Sequence, residues 1–446
     1  MPAKGKAVVL GGGTFYHVRP HLALSAPAFG GTARCLGRLF QHYGWESVEV
    51  ALTRMAGGKR NLVTNDDIAL FLDDTVKDPE VKLVVMSAAL CDFEGHIFDY
   101  GEEIAPVSES GKDQPRLKTS EGDQYMRLTP AAKILGRVRK ERKDIFLVGF
   151  KTTAGASQEE MFKLGLNLLK TSSCNLVLVN DLHTKRNMIL TPEQAVYAST
   201  TDREMVLDEL AILATSRANL TFTRSSVVEG DPIPWNGKEV PESLRKVVNY
   251  CIQRGAYKPF NGATVGHFAA KLSDGRFITS IRKSNFNKID ETGLVFVETE
   301  GDGEVIAYGH RPSVGGQSQR MIFTQHPDVD CIVHAHCPLK LNAREDIPIR
   351  EQWRFECGSH ECGENASEGL RDLGGFKAVM LDKHGFNIAF HHSTDPNKII
   401  KFIDQNWDLA KSTDGFLKSG LDSFERVAAP DFIVSGLPDP NTPVDA

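Results

Sequence analysis

Between residues 6 and 179, short apolar runs alternate with stretches of helical periodicity, and that alternation limits what this chain can fold into. Residues 6–10, 47–52, 81–86, 145–150 and 176–179 read as strands, and 31–43, 66–76, 130–140 and 158–169 as helices. The run 81–86 carries apolar residues on both alternating faces, as a strand covered from both sides does. The pattern predicts a doubly wound parallel sheet with helices on both faces and ligands beyond the carboxyl ends of its strands. With 446 residues the chain is too long for one ordinary core, so a second domain is expected.

The rhythm breaks at 228–241, where three prolines and two glycines suggest an exposed connector. The expected organisation is a first domain over 1–227, a linker over 228–243, a second domain over 244–429 and a loose acidic tail over 430–446. The second half opens with a helix at 244–253 and then turns strand-rich at 277–280, 293–298 and 305–308. A buried run at 329–333 delivers His334-Ala-His336, and another at 378–381 delivers His384-Gly385.

Charge and composition exclude several classes of function. A net charge of -6 and the lack of a Lys/Arg stripe argue against nucleic acid. No apolar run reaches the eighteen or so residues that a membrane span needs. The opening MPAKGKAVVLGGG enters a strand directly and lacks the parts of a signal peptide. Eight cysteines without paired spacing favour free thiols. A cytoplasmic protein is expected.

Side chains alternate along a strand, so His334 and His336 share one face. With His384 they make three neutral imidazoles that leave a coordination position open, as at catalytic zinc. Ordinary hydrogen-bonded histidines at a strand end are the alternative. Around them Arg311-Pro-Ser313, Gln325-His-Pro-Asp, Gly358-Ser359 and Val379-Met-Leu-Asp-Lys-His384-Gly385 follow in order. Residues 244–416 thereby resemble the class II aldolase/adducin family. The resemblance implies an α/β domain, Zn2+ or a similar divalent metal on His334, His336 and His384, and lyase chemistry on a carbonyl or sugar-phosphate substrate. It also implies substrate contacts from Arg282 and Ser313. The family's acid/base glutamate is replaced by Gly315, which puts aldol chemistry in doubt. His360 or Glu361 could take its place, or their segment could simply start a helix with Ser359 as its cap.

A glycine turn follows the first strand at Leu10-Gly-Gly-Gly-Thr14, without the dinucleotide fingerprint or a P-loop lysine. Together with Val18-Arg19, Ala88-Ala-Leu-Cys-Asp92-Phe93, Arg116-Leu-Lys118, Pro130-Ala-Ala-Lys133, Val148-Gly-Phe-Lys151 and Val179-Asn180-Asp181, it resembles phosphopantothenate–cysteine ligase (phosphopantothenoylcysteine synthetase). The resemblance implies a Rossmann-like domain that activates a carboxylate with ATP or CTP and Mg2+. Gly11, Gly12, Gly13, Thr14, Arg19 and Asn180 would bind the nucleotide, and Lys118 and Asp92 would serve catalysis. One departure is marked: the family's Asn-x-Ser-Ser-Gly-x-x-Gly loop reads Ala23-Leu-Ser-Ala-Pro27-Ala-Phe-Gly30, and proline lacks the N–H an anion needs. The expectation is a bifunctional metabolic enzyme with small-molecule substrates, forming a homo-oligomer. The alternative is a non-catalytic ligand-binding or assembly protein with both sites degenerate.

Overall fold

In this computed structural model the residues described are 5–98, 109–300 and 303–417. Seven strands form the first sheet, in the order Val196–Thr200, Asn187–Leu190, Leu176–Asp181, Phe146–Thr153, Val81–Met86, Lys6–Gly11, Ser47–Leu52. The last five in that order run parallel, while Asn187–Leu190 and Val196–Thr200 form an antiparallel edge. Alternation of side chains explains why helices cover both faces. Val8, Leu10, Val84 and Met86 pack on one side with Ile68, Leu72, Phe162 and Leu166. Ala7, Val9, Leu83 and Val85 pack on the other with Leu36, Phe40 and Leu210. Helices Asn65–Thr75 and Gln158–Thr171 begin at capping boxes, Thr64 with Asp67 and Ser157 with Glu160.

Ten strands form the second sheet, which is mostly antiparallel. At its centre Cys331–Ala335 lies between His267–Lys271 and Gly385–Phe390. Helices Glu242–Gln253 and Pro396–Asn406 cover one face. Gln317–Gln325 and His360–Gly369 cover the other. Among the described residues no helix is long and apolar enough to cross a membrane.

Two sequence expectations change here. Residues 130–140 were expected to be one helix, but Tyr125–Pro130 is a strand paired with Phe93–Phe98, and only Arg137–Glu141 is helical. Pro130 ends a two-stranded ribbon, a position where its missing N–H costs little. The stretch expected as an exposed connector is largely exposed, but Trp235 within it is anchored in the second core: it is 1% exposed and meets Phe268 edge-on at 5.5 Å. Before it, Arg224–Val228 already pairs with Glu304–Tyr308 in the second sheet. The tail expected over 430–446 lies outside the described residues.

The second unit docks against the amino ends of the first unit's parallel strands. Asn175, just before Leu176–Asp181, donates from Nδ2 to both carboxylate oxygens of Glu356 at 2.9 and 3.0 Å. Arg217 donates from Nε to the Trp353 carbonyl at 2.9 Å, and Val196 N–H to Asp414 at 2.8 Å. Phe416 and Leu417 then run into the first unit's core, where Phe416 stacks on Phe162 at 4.9 Å.

Burial raises Glu356 from 4.5 to about 7, with Arg217 opposing and Glu193 adding to the shift. A folded pKa above the unfolded one contributes stability that is complete below about 4.5 and is lost as pH rises through about 7. Melting temperatures should therefore decline across that window in the wild type. Glu356→Gln should flatten the decline, and an unchanged profile would locate the titrating group elsewhere.

Candidate metal centre and its surroundings

Sheet register brings the histidines together. His334 stands opposite His267 on one neighbouring strand and Asn387 on the other. His336 follows two residues later on the same face, just past the strand end. His384 sits in the tight turn between Lys377–Leu381 and Gly385–Phe390. That turn approaches so closely that a Cβ on Gly385 would lie 2.2 Å from the Ala335 carbonyl oxygen and 2.9 Å from His336 Cα. Only glycine permits the contact.

The three rings lie 4.7–4.9 Å apart by centroid, and one nitrogen of each falls within 4.8 Å of the others. They are 1%, 5% and 2% exposed for His334, His336 and His384. His334 Nδ1 donates to the Phe386 carbonyl at 2.7 Å, and His336 Nδ1 to the Glu193 carbonyl at 2.8 Å. A carbonyl only accepts, so the proton sits on Nδ1 and Nε2 presents a lone pair. All three Nε2 atoms are buried without a hydrogen-bond partner. Burial pulls His334 down to about 4 and the other two well below their ordinary value, so all are neutral at pH 7. Unprotonated, convergent and unsatisfied nitrogens are what a zinc-like ion requires. The donor set fits such an ion.

Three neighbours were not singled out as site residues from the sequence. His267 is 3% exposed, lies 4.8 Å from the His334 ring and has an unpartnered Nδ1. A single histidine in an apolar strand has no spacing signal, and only the register with His334 reveals it. Glu193 and Arg217 form an ion pair at 3.1 Å with both side chains almost fully buried. Burial alone would raise Glu193, but Arg217 and the Cys357 N–H hold it below the usual glutamate value. These two residues come from the first unit. Two small cavities, each with room for about one water molecule, flank His336 and His384.

The other expected residues of this unit lie at varying distance from the histidines. Ser313 is buried and accepts from Ser280 Oγ at 2.9 Å. Arg282 donates its backbone N–H to the Arg311 carbonyl at 2.9 Å. Both arginine side chains reach solvent at the sheet end that carries the histidines. Among the described residues no carboxylate lies within ion-pair distance of either. His360 and Glu361 line neither cavity. His360 Nε2 meets Thr223 Oγ1 at 2.8 Å, and Glu361 accepts from the Thr221 N–H at 3.1 Å. Ser359 caps their helix through the Cys362 N–H at 3.0 Å. The segment is the helix start that was the alternative reading, held to residues 221 and 223.

In the first unit, Gly11, Gly12, Gly13 and Thr14 end the first strand and are buried. The N–H groups of Gly13 and Thr14 are spent on the carbonyls of Ala28 and Ala89, at 2.8 and 3.0 Å. A Cβ on Gly13 would lie 1.9 Å from the Ala26 carbonyl oxygen, so the 23–30 segment already fills this turn. These amides do not face a phosphate as expected, because the chain itself occupies the place. Arg19 is buried and donates to the carbonyls of Val18 and Glu109. Asp92 pairs with Lys133 at 2.7 Å on the surface. Asn180 accepts weakly from Thr152 Oγ1 at 3.4 Å at the carboxyl end of its strand. Lys118 is exposed, with Glu121 at 3.9 Å. The structure brings Gly11–Thr14, Asp92 and Asn180 to one end of the sheet and leaves Lys118 out in solvent.

Comparison with known proteins agrees with the two halves. Residues 245–389 match the family model described as "Class II Aldolase and Adducin N-terminal domain". The chain is 25% identical over 146 residues to the coenzyme A biosynthesis bifunctional protein CoaBC of Thermococcus kodakarensis. That match covers 31% of this chain and 32% of the relative, so the chain spans about a third of that protein's length. Among solved structures, the DNA/pantothenate metabolism flavoprotein of Streptococcus pneumoniae aligns at 16% identity and TM-score 0.39, over 46% of this chain and 96% of that one. L-fuculose 1-phosphate aldolase aligns at 15% identity and TM-score 0.27, over 36% and 82%. The N-terminal half resembles phosphopantothenate–cysteine ligase and the C-terminal half the class II aldolase/adducin family.

Purified protein should carry about one zinc-like ion per chain. His336→Ala should lose most of it by elemental analysis, and equal metal in both proteins would refute the site.

Proposed function

We propose that this chain is a bifunctional metabolic enzyme of the cytosol. Its second unit is a metal-dependent lyase acting on a carbonyl compound with an anionic group, of the sugar-phosphate kind. The observation that carries this reading is the set of three buried, unpartnered Nε2 atoms on His334, His336 and His384. When bound there, a divalent ion such as Zn2+ supplies Lewis-acid polarisation of a carbonyl oxygen. Arg282 and Arg311, at the same sheet end and without a carboxylate partner among the described residues, suit a phosphate or carboxylate group through their planar forks. Burial around the histidines excludes bulk water, which strengthens each polar contact to a bound substrate. His267, beside His334, is placed to hold the substrate's oxygens.

The first unit, on this reading, is a carboxylate–amine ligase using ATP or CTP with Mg2+. Asp92 and Asn180 at the carboxyl ends of its strands support it, since ligands bind there in doubly wound sheets. The second reading, a ligand-binding or assembly module, is favoured for this unit alone by the self-filled glycine turn. Free thiols at all eight cysteines suit a reducing compartment. Self-association into a homo-oligomer is part of the proposal.

Metal-loaded protein should cleave a sugar-phosphate-type carbonyl substrate, and Arg282→Ala should raise KM about tenfold or more with a smaller change in kcat. No turnover across a panel of such compounds would leave binding as the function of this unit. For the first unit, pyrophosphate release with ATP or CTP should fall about 100-fold or more in Lys118→Ala. Calorimetry showing no triphosphate bound would select the module reading.

A further inference from the structure

The turn 191–195 belongs to the first unit, yet it stands against the histidines of the second. It joins Asn187–Leu190 to Val196–Thr200 at the end of the sheet where Leu190 pairs with Val177. Its Glu193 carbonyl accepts the His336 Nδ1 proton at 2.8 Å. His334 receives the equivalent support from Phe386 inside its own unit. For His336 the Nδ1 acceptor comes from across the boundary.

Glu193 is held in place from both sides. Arg217, on the first unit's helix Arg203–Arg217, donates from Nη1 to its two carboxylate oxygens at 3.3 and 3.1 Å. The Cys357 N–H, from the second unit, donates to Oε1 at 2.7 Å. Thus the side chain anchors the turn while its backbone carbonyl orients the imidazole. Glu193 also lines both small cavities beside the histidines. The first adjoins His336 with Gln194 and Lys258, and the second adjoins His384 with Arg217 and Tyr197.

We propose that the metal centre is composite: the 191–195 turn of the ligase-like unit sets the tautomer of His336 and walls the open face of the site. Glu193 and Arg217 are then positioning residues, and metal affinity in the aldolase-like unit depends on the ligase-like unit. The inference rests on reading the three histidines as a metal site. It does not require the first unit to be catalytic, because the turn lies at the opposite end of the sheet from Asp92 and Asn180. A strand of the length of Leu176–Asp181 sets those ends about 20 Å apart.

The test uses the full chain and Zn2+ or Co2+ alone as the probe. Polar partners of metal-binding histidines typically matter about 10- to 100-fold in affinity. Competition with a chromophoric chelator should therefore show Glu193→Ala binding Zn2+ about tenfold or more weakly, with Glu193→Gln rescuing most of the loss. The visible spectrum of the Co2+ form should shift in Glu193→Ala and not in Glu193→Gln. His384→Ala, at a histidine of the cluster carried wholly by the second unit, separates the two ideas. If it keeps wild-type affinity, the histidines are not the site and the underlying reading fails. If it loses metal while Glu193→Ala retains wild-type affinity and spectrum, the composite centre is overturned. Should Glu193→Ala fail to fold, hydrogen exchange on the unaltered protein decides. Added Zn2+ should protect peptides covering 191–195, and protection confined to the second unit would overturn the proposal.

Discussion

Three imidazole nitrogens buried without a partner are an expense that a fold rarely accepts, since each polar group left unmade costs about 1–3 kcal/mol. Here the whole second unit is arranged around that cost. The central strand places His334 and His336 on one face, and Gly385 lets the next hairpin press His384 against them. Two carbonyls, of Phe386 and Glu193, turn the Nε2 lone pairs of His334 and His336 toward a common point. Burial keeps all three rings neutral. A ligand set that is prepaid in this way binds an ion without first breaking protein contacts.

The boundary between the units is built from the same chemistry. Glu193, Arg217, Glu356 and Asn175 are buried or nearly so, and each is paired across or beside the interface. A buried polar group left without its partner is costly, so the hydrogen bonds of Asn175 to Glu356, Arg217 to the Trp353 carbonyl and Cys357 to Glu193 favour this arrangement of the two sheets over others. The consequence is that the second unit occupies the amino ends of the first unit's parallel strands, leaving the carboxyl ends to Asp92 and Asn180.

The first unit shows how a retained fold can carry an altered site. Its glycine turn has the residues to cradle an anion, but the segment that includes Pro27 folds back onto it and takes the Gly13 amide, while the Thr14 amide goes to Ala89. Lys118 stays in solvent on an exposed segment. The doubly wound fold depends on apolar alternation, which these features of the turn leave untouched.

What the sequence determined by itself was whatever depends on local period and composition. Runs such as Val81–Met86 carry apolar residues on both faces, which only a sheet covered twice can bury. His334-Ala-His336 shares a face because strands have period two, whatever surrounds them. The helices expected over 66–76 and 158–169 were legible for the same local reason, within a residue or two of the observed bounds. The tertiary structure alone decided what depends on residues distant in the chain. His267 enters the site only through its register with His334, and Glu193 arrives from 143 positions away. Pro130 joined a strand because a partner strand was available, and Trp235 became core because an apolar face needed covering. For His360 and Glu361 the sequence left an acid/base role and a simple helix start both open, and their hydrogen bonds to residues 223 and 221 come only from the fold. Periodicity records which face of an element is apolar, but not which other element will meet it, and the site was assembled at such a meeting.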